Sequence, residues 1–259
     1  MSIAGLPVAR DVPVVTAAQM ALADRVATTA LGIPLESLME NASHQIAAAT
    51  RLFLDDVAGK HIVAVAGIGN NGGDALAALR HLRGWGARVE AFVCGPRAGL
   101  GPLAALQYEI LSRLGVAVHD TTAIDDRTLV ERLSGPDCVL DGLLGYSVKG
   151  APRGEVARLI MVTSAARGGG LRPIVAVDLP SGIDPDTGAK LSEVPAGAIP
   201  AALTVTLGLP KAGLLAPHAR RYVGDLVLAD IGIPPKAYQS LGIDARSAFA
   251  AGDLLRIAA

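Results

Sequence analysis

Residues 61–66, His-Ile-Val-Ala-Val-Ala, run straight into Gly67-Ile-Gly-Asn-Asn-Gly-Gly-Asp74. A continuous apolar run of this length reads as a strand buried on both faces. The periodic Leu76, Leu79 and Leu82 behind it read as a helix beginning at Asp74. Strand, tight glycine-rich turn and helix in immediate succession are the opening of a βαβ unit. Gly67, Gly69 and Gly72 satisfy the G-x-G-x-x-G spacing of a dinucleotide loop. The residues between them argue for a different use. Two carboxamides, Asn70 and Asn71, precede the carboxylate of Asp74 at the expected helix start. A pyrophosphate there would meet a like charge instead of bare N–H groups. Sugar hydroxyls, or a site where a cation offsets the carboxylate, suit the loop better, so it is expected to bind a nucleotide-like ligand in a non-dehydrogenase manner.

The same alternation continues along the chain. Strands are expected at 87–93, 137–140, 173–177, 203–207 and 225–228, and helices at 103–114, 126–133 and 154–166. Short apolar strands separated by helices imply a largely parallel sheet covered on both faces, an α/β Rossmann-like three-layer αβα sandwich. Ahead of it lie two expected helices within about 16–55. The first spans 16–31 with Thr16 as its cap, and the second begins at Pro34 with an apolar stripe of Leu35, Leu38, Met39, Ala42 and Ile46. A single domain over 1–259 is expected, with its α/β core at about 60–235 and the glycines at 168–170 in a helix-to-strand loop. Hydrophobic residues make up 51% of the chain and aromatics 3%, so the core must be built from Ala, Val, Leu and Ile.

A net charge of −1, with no run of Lys and Arg, gives no drive toward nucleic acid or anionic membrane. The N-terminus carries Arg10, Asp11, Asp24 and Arg25 before any long apolar run, unlike a signal peptide. The longest uncharged stretch, 194–210, is broken by Pro195 and Pro200 and is too short to span a bilayer. Cys94 and Cys138 fall in apolar strand-like segments outside any C-x-x-C cluster and read as buried thiols of a reducing, cytoplasmic protein.

In an open parallel sheet, ligands bind beyond the carboxyl ends of the strands. The polar residues of this chain gather there. Asp141 ends one strand and opens Gly142-Leu-Leu-Gly-Tyr-Ser-Val-Lys-Gly150; Asp178 ends another and opens Leu-Pro-Ser-Gly-Ile-Asp184; a third leads to Gly208-Leu-Pro-Lys211. Lys149 and Lys211 read equally well as solvated loop lysines, and Asp184, Asp186 and Gly188 as surface turns. Asn71, Asp141 and Ser181 offer oxygen ligands with one carboxylate, a set that suits a hard, weakly held cation. Asp178 remains as a candidate acid or base, or as a partner for a ribose or amide group. No zinc, Walker A or Gly-x-Ser-x-Gly motif is present.

Taken together, Leu38-Met-Glu-Asn-Ala42, Gly69-Asn-Asn-Gly-Gly-Asp74, Asp141-Gly-Leu-Leu-Gly-Tyr-Ser-Val-Lys-Gly150, Val177-Asp-Leu-Pro-Ser-Gly-Ile-Asp184, Thr204-Val-Thr-Leu-Gly208 with Lys211, and 224–234 resemble the NAD(P)H-hydrate (NAD(P)HX) epimerases over most of the length. The resemblance implies an isomerase of nicotinamide nucleotide repair that interconverts the R and S forms of hydrated NADH and NADPH at C6 of the ring. It implies a homodimer and a bound potassium ion held by Asn71, Asp141 and Ser181. Substrate contacts fall on Asn70, Asn71, Gly72, Gly73 and Asp74, on Gly145, Tyr146, Ser147, Val148, Lys149, Gly150 and Ala151, and on Asp178. Asp178 is the expected acid/base group, with Lys149 second. Ala75 stands where the family often has glycine, a methyl expected to narrow the pocket. Many bacterial members carry a fused dehydratase; here a separate NAD(P)HX dehydratase is expected downstream. The alternatives are an NAD-dependent dehydrogenase, against which stand Asp74 at the helix start and the absence of an acid closing the second strand of this chain, since Glu90 lies within it, and a non-catalytic binding or scaffold module of the same fold.

Overall fold

The structure is a computed structural model that describes residues 3–167 and 172–258. The glycines at 168–170 lie outside the described residues. Two helices come first, α1 (Ala17–Arg25) and α2 (Leu35–Leu54). Thr16 caps α1 through a full capping box with Gln19, and Val26–Ala30 continues it as one wider π turn. The α/β series follows: β1 (His61–Ala66), α3 (Asn70–Gly84), β2 (Arg88–Val93), α4 (Pro102–Arg113), β3 (Ala117–Asp120), α5 (Asp126–Ser134), β4 (Cys138–Gly142), α6 (Gly154–Arg167), β5 (Ile174–Val177), β6 (Leu203–Leu207), the short α7 (Arg220–Val223), β7 (Asp225–Ala229), α8 (Pro235–Gln239) and β8 (Leu254–Arg256).

The strands make one sheet in the order β3-β2-β1-β4-β5-β6-β7-β8, parallel throughout except for β8 against β7. The expected three-layer α/β sandwich is therefore what the chain builds. Alternate residues of β1 feed opposite layers. Ile62, Ala64 and Ala66 pack with α2 and α3, whereas Val63 and Val65 pack with α5 and α6. The direction of winding reverses between β1 and β4, which pair directly from Ile62↔Cys138 to Ala66↔Gly142. That reversal opens a crevice above their carboxyl ends. Cys94 and Cys138 are free and buried, and burial pushes their thiols up to about 11 and about 12.

Three sequence expectations change. The helix after β1 starts at Asn70, one turn before Asp74. Two glycines in a first turn score poorly as helix, but here a side chain has no room. A Cβ on Gly72 would sit 2.0 Å from the Gly67 carbonyl oxygen, and one on Gly142 would sit 2.4 Å from the Ala75 Cβ. Close approach of α3 to β1 and β4 demands glycine at both places. The same contact answers the question of Ala75: its methyl is fully buried against β4 and does not narrow the cavity. The sheet also runs past residue 235, because Leu254–Arg256 adds β8 at its edge, and β3 was not anticipated.

A Gly72→Ala variant is expected to lose about 2–3 kcal/mol, the upper part of the usual range for overpacking a tight contact. Thermal unfolding should then fall by roughly 5–10 °C in a chain of this size. An unchanged melting temperature would mean that α3 can withdraw from β1 at no cost.

Candidate functional site

A cavity of about 550 Å³ opens above the crevice between β1 and β4. Its floor comes from strand-end loops, with Asn70, Asn71 and Asp74 beyond β1, residues 143–149 beyond β4, and Asp178 beyond β5. Its apolar wall comes from the N-terminal helices through Met20, Leu35, Leu38, Met39 and Ala42. The apolar stripe of α2 thus serves both core packing and the ligand cavity.

Three of the loops are tied to one another by buried polar groups. The Asp141 carboxylate accepts from the Ser181 N–H at 2.8 Å and from the Ser181 hydroxyl at 2.6 Å. The Ser181 hydroxyl accepts in turn from the Leu144 N–H at 2.9 Å, and the Asn71 side-chain NH2 donates to the Leu144 carbonyl at 3.0 Å. Asn71, Asp141 and Ser181 are therefore brought into one hydrogen-bonded chain. Burial pushes the Asp141 carboxyl up to about 6, against the pull of its bonds from Ser181 and Leu143. Asp141 and Ser181 are wholly buried and sit behind the cavity wall, while Asn71 lines it. The Asn71 amide oxygen accepts no hydrogen bond among the described residues. A carboxamide oxygen, a hydroxyl and a carboxylate short of positive charge form a donor set that fits a hard monovalent cation. Among the described residues no group of three His, Cys, Asp or Glu side chains forms a metal cluster.

Asp178 is buried and holds φ at +67°, a left-handed conformation that is rare for a residue with a side chain. The turn aims its carboxylate back over the strand ends. Oδ1 accepts from the Lys211 ammonium at 2.5 Å and from the Leu207 N–H at 3.2 Å, and Oδ2 from the Tyr146 N–H at 3.3 Å. Lys211 has no exposed surface, which corrects its reading as a solvated loop lysine; the Leu207 carbonyl accepts its second proton at 2.7 Å. Lys149, by contrast, is exposed at the edge of the cavity.

Asp74 is 8% exposed and lines the cavity. Among the described residues its carboxyl has no hydrogen bond or ion pair. Burial, then the charges of Asp178 and Asp24, push it well above the usual carboxylate range. Asp24 on α1 is a cavity residue that the sequence shows only as one of the charges near the N-terminus. It lines the cavity and accepts a hydrogen bond from the Tyr146 hydroxyl. Burial raises its carboxyl, while Tyr146 and Lys211 lower it.

The remaining expected contacts fall in two groups. Gly145, Tyr146, Ser147 and Val148 line the cavity; Gly72, Gly73, Gly150 and Ala151 do not. Gly73 faces Met39, whose methyl would lie 2.6 Å from a Cβ there. Glu90 stays within β2, paired with Arg132, His119 and His61, and does not reach the rim. Asp184 and Asp186 make the expected turn, with Asp184 Oδ1 accepting from the N–H groups of Asp186 and Thr187, but Gly188 is buried against Gly213 and Ala219 instead of lying at the surface. Asp186 reaches back to accept from the N–H of Ala17 at the start of α1.

Comparison with known proteins gives the following. The family described as YjeF-related protein N-terminus matches residues 35–213. The NAD(P)H-hydrate epimerase of Dehalogenimonas lykanthroporepellens is 37% identical over 238 residues, which cover 91% of this chain and 89% of that protein. The protein of the same name from Limosilactobacillus fermentum is 35% identical, covering 83% and 95%. The bifunctional NAD(P)H-hydrate repair enzyme Nnr of Pyrobaculum aerophilum is 40% identical over 88% of this chain, which spans only 43% of that relative's length. Among solved structures, yeast ynu0 shares the fold with a TM-score of 0.78 at 24% identity, over 95% of this chain and 100% of its own.

An acid whose carboxyl is raised by folding stabilises the native state only while protonated. That contribution is complete below the ordinary Asp value and is lost as pH rises through the raised one. Asp74→Asn is therefore expected to melt higher than the parent at pH 8, by roughly 2–4 °C for each kcal/mol relieved. The difference should shrink toward pH 4. Calorimetry at the two pH values checks this; a lower melting point for the variant at pH 8 would show that the Asp74 charge is compensated.

Proposed function

The chain belongs to the family of YjeF-related N-terminal domains, and on that premise we propose that it interconverts the R and S forms of hydrated NADH and NADPH at C6 of the nicotinamide ring. The observation that carries this reading is the buried Asp178, held by Lys211 at the wall of a cavity roofed by apolar side chains. Relatives named for the same epimerase, at 35–37% identity over most of the chain, support it.

C6 of the hydrate bears both a hydroxyl and the ring nitrogen, so it is a carbinolamine carbon. Inversion there needs proton transfer to and from oxygen and no redox step. The apolar wall of Met20, Leu38, Met39 and Ala42 suits a reduced, uncharged nicotinamide ring. The carboxylate of Asp178 is the proton-transfer group, and its left-handed turn fixes where its oxygens point. The exposed ammonium of Lys149 serves better as a contact for the nucleotide's anionic part than as an acid. A potassium ion would be held by Asn71, Asp141 and Ser181, where it would supply positive charge next to the buried Asp141 carboxylate. In this reading the protein works as a homodimer in the cytoplasm and hands the S form to an NAD(P)HX dehydratase. No helix is long and apolar enough to cross a membrane among the described residues.

The test is conversion of purified R-form NADHX to the S form, followed by chromatography against the uncatalysed rate. Acceleration by the parent protein is expected, reduced when potassium is replaced by a larger inert cation. Asp178→Asn leaves the buried Lys211 charge unpaired and should melt well below the parent; its folded fraction, measured below that melting point, should lose about 10²–10⁴-fold in rate, the usual contribution of a positioned acid or base. No acceleration by the folded parent would leave the non-catalytic binding module of the same fold as the better reading.

A further inference from the structure

We infer that Asp74 is a second catalytic group, and that it and Asp178 invert C6 as a pair working from two strand ends of the cavity floor. The inference rests on the epimerase reading and extends it. Asp178 follows β5 and Asp74 lies one helical turn beyond β1, and both strands neighbour β4. The strands they follow thus stand two strand spacings apart, roughly 10 Å, and both side chains line the same cavity. A nicotinamide ring lying over that floor would reach both carboxyl groups.

Their environments differ in the way an acid and a base require. Asp178 is ion-paired with Lys211 and accepts two backbone N–H groups. Asp74 is nine-tenths buried, has no protein partner among the described residues, and faces the cavity. Such a carboxyl keeps its proton in preference to its charge, and a buried, protonated carboxyl left without a partner is poised to donate to a ligand. An ion-paired carboxylate and an unpartnered buried carboxyl lining one cavity offer the base and the acid that proton transfer to and from one carbon needs. The other ionisable groups around the cavity are Asp24 on α1, Tyr146 and Lys149 beyond β4, and Lys211 behind Asp178. The wall from α2 adds Leu38, Met39 and Ala42, none of them ionisable.

Asp74 gives its proton to the C6 hydroxyl oxygen, the C6–O bond breaks, and its electron pair leaves with a water molecule. The ring nitrogen lone pair forms the C6=N bond of an iminium ion. A water molecule on the Asp178 side then adds to the opposite face. Its proton passes to the Asp178 carboxylate, and the electron pair of the C6=N bond returns to nitrogen. One turnover moves one proton from Asp74 to Asp178 and exchanges one oxygen with solvent. The reverse reaction uses the same groups in exchanged roles, and proton exchange with water resets them.

The experiment is epimerisation of R-form NADHX in H2¹⁸O by the parent and by Asp74→Asn and Asp74→Glu. The parent should incorporate one solvent oxygen per inversion above the uncatalysed exchange. Its kcat should fall on the alkaline side as Asp74 loses its proton. Asp74→Asn keeps the shape and hydrogen-bonding capacity of the side chain but cannot protonate a leaving group. It should lose at least about 10²-fold in kcat with little change in KM, and its residual activity should lack the alkaline limb. Asp74→Glu should recover part of the rate. An Asp74→Asn variant with the parent kcat, or with a raised KM alone, would overturn the inference, as would inversion that retains the original oxygen. Those outcomes leave an active parent enzyme; an inactive parent would instead remove the epimerase reading and the inference with it.

Discussion

A buried ion pair holds the working end of this molecule in place. Lys211 has no exposed surface, and its ammonium is satisfied by the Asp178 carboxylate and the Leu207 carbonyl. Neither charge could be buried alone, because an unpaired ion in the interior costs several kcal/mol. Pairing them fixes the loops after β5 and β6 against each other. The backbone beside Lys211 extends the connection: the Val15 N–H donates to the Pro210 carbonyl, and the Ala212 N–H donates to the Val15 carbonyl. The segment leading into α1 is thereby laid against the sheet. Asp24 and Met20 reach the cavity because that segment is held there. Tyr146 completes the enclosure, with its hydroxyl on Asp24, its N–H on Asp178, and its ring 5.4 Å from the Lys211 ammonium.

Against that satisfied pair, Asp74 stands as an unsatisfied one. A leucine or asparagine there would serve stability better, and the sequence keeps an acid. α3 packs closely on β1 and β4, and the buried Asp74 side chain lines the cavity. Local stability is given up where proton transfer needs a group that is neutral at rest, a conflict familiar at functional sites. The Asp141–Ser181 pair shows the opposite arrangement. There a buried carboxylate is met by two hydrogen bonds from one residue, and those bonds stitch the β4 loop to the β5 loop.

Much of this was legible in the sequence because strand-end chemistry and hydrophobic period report on the same topology. The runs at 61–66, 137–140, 173–177 and 203–207 were recognisable as buried strands, and Asn71, Asp141, Ser181 and Asp178 were recognisable as residues of one rim. What escaped did so for physical reasons. Gly72 and Gly73 disguised the first turn of α3, since intrinsic propensity disfavours the residue that tertiary contact requires. Lys211 looked solvated because a charge reveals its burial only through a partner distant in sequence, here 33 residues away. Asp24 carried no local signal at all; its role comes from a helix docking across the cavity. β3 and β8 are four and three residues long, too short for a period to show.

The most direct measurement is a crystal structure of the protein with a bound hydrated or reduced nicotinamide nucleotide. The account predicts that the nicotinamide ring lies in the cavity against Leu38 and Met39, with C6 between the carboxyl groups of Asp74 and Asp178. A ring seated outside that cavity, or one that presents C6 to neither carboxyl, would contradict it.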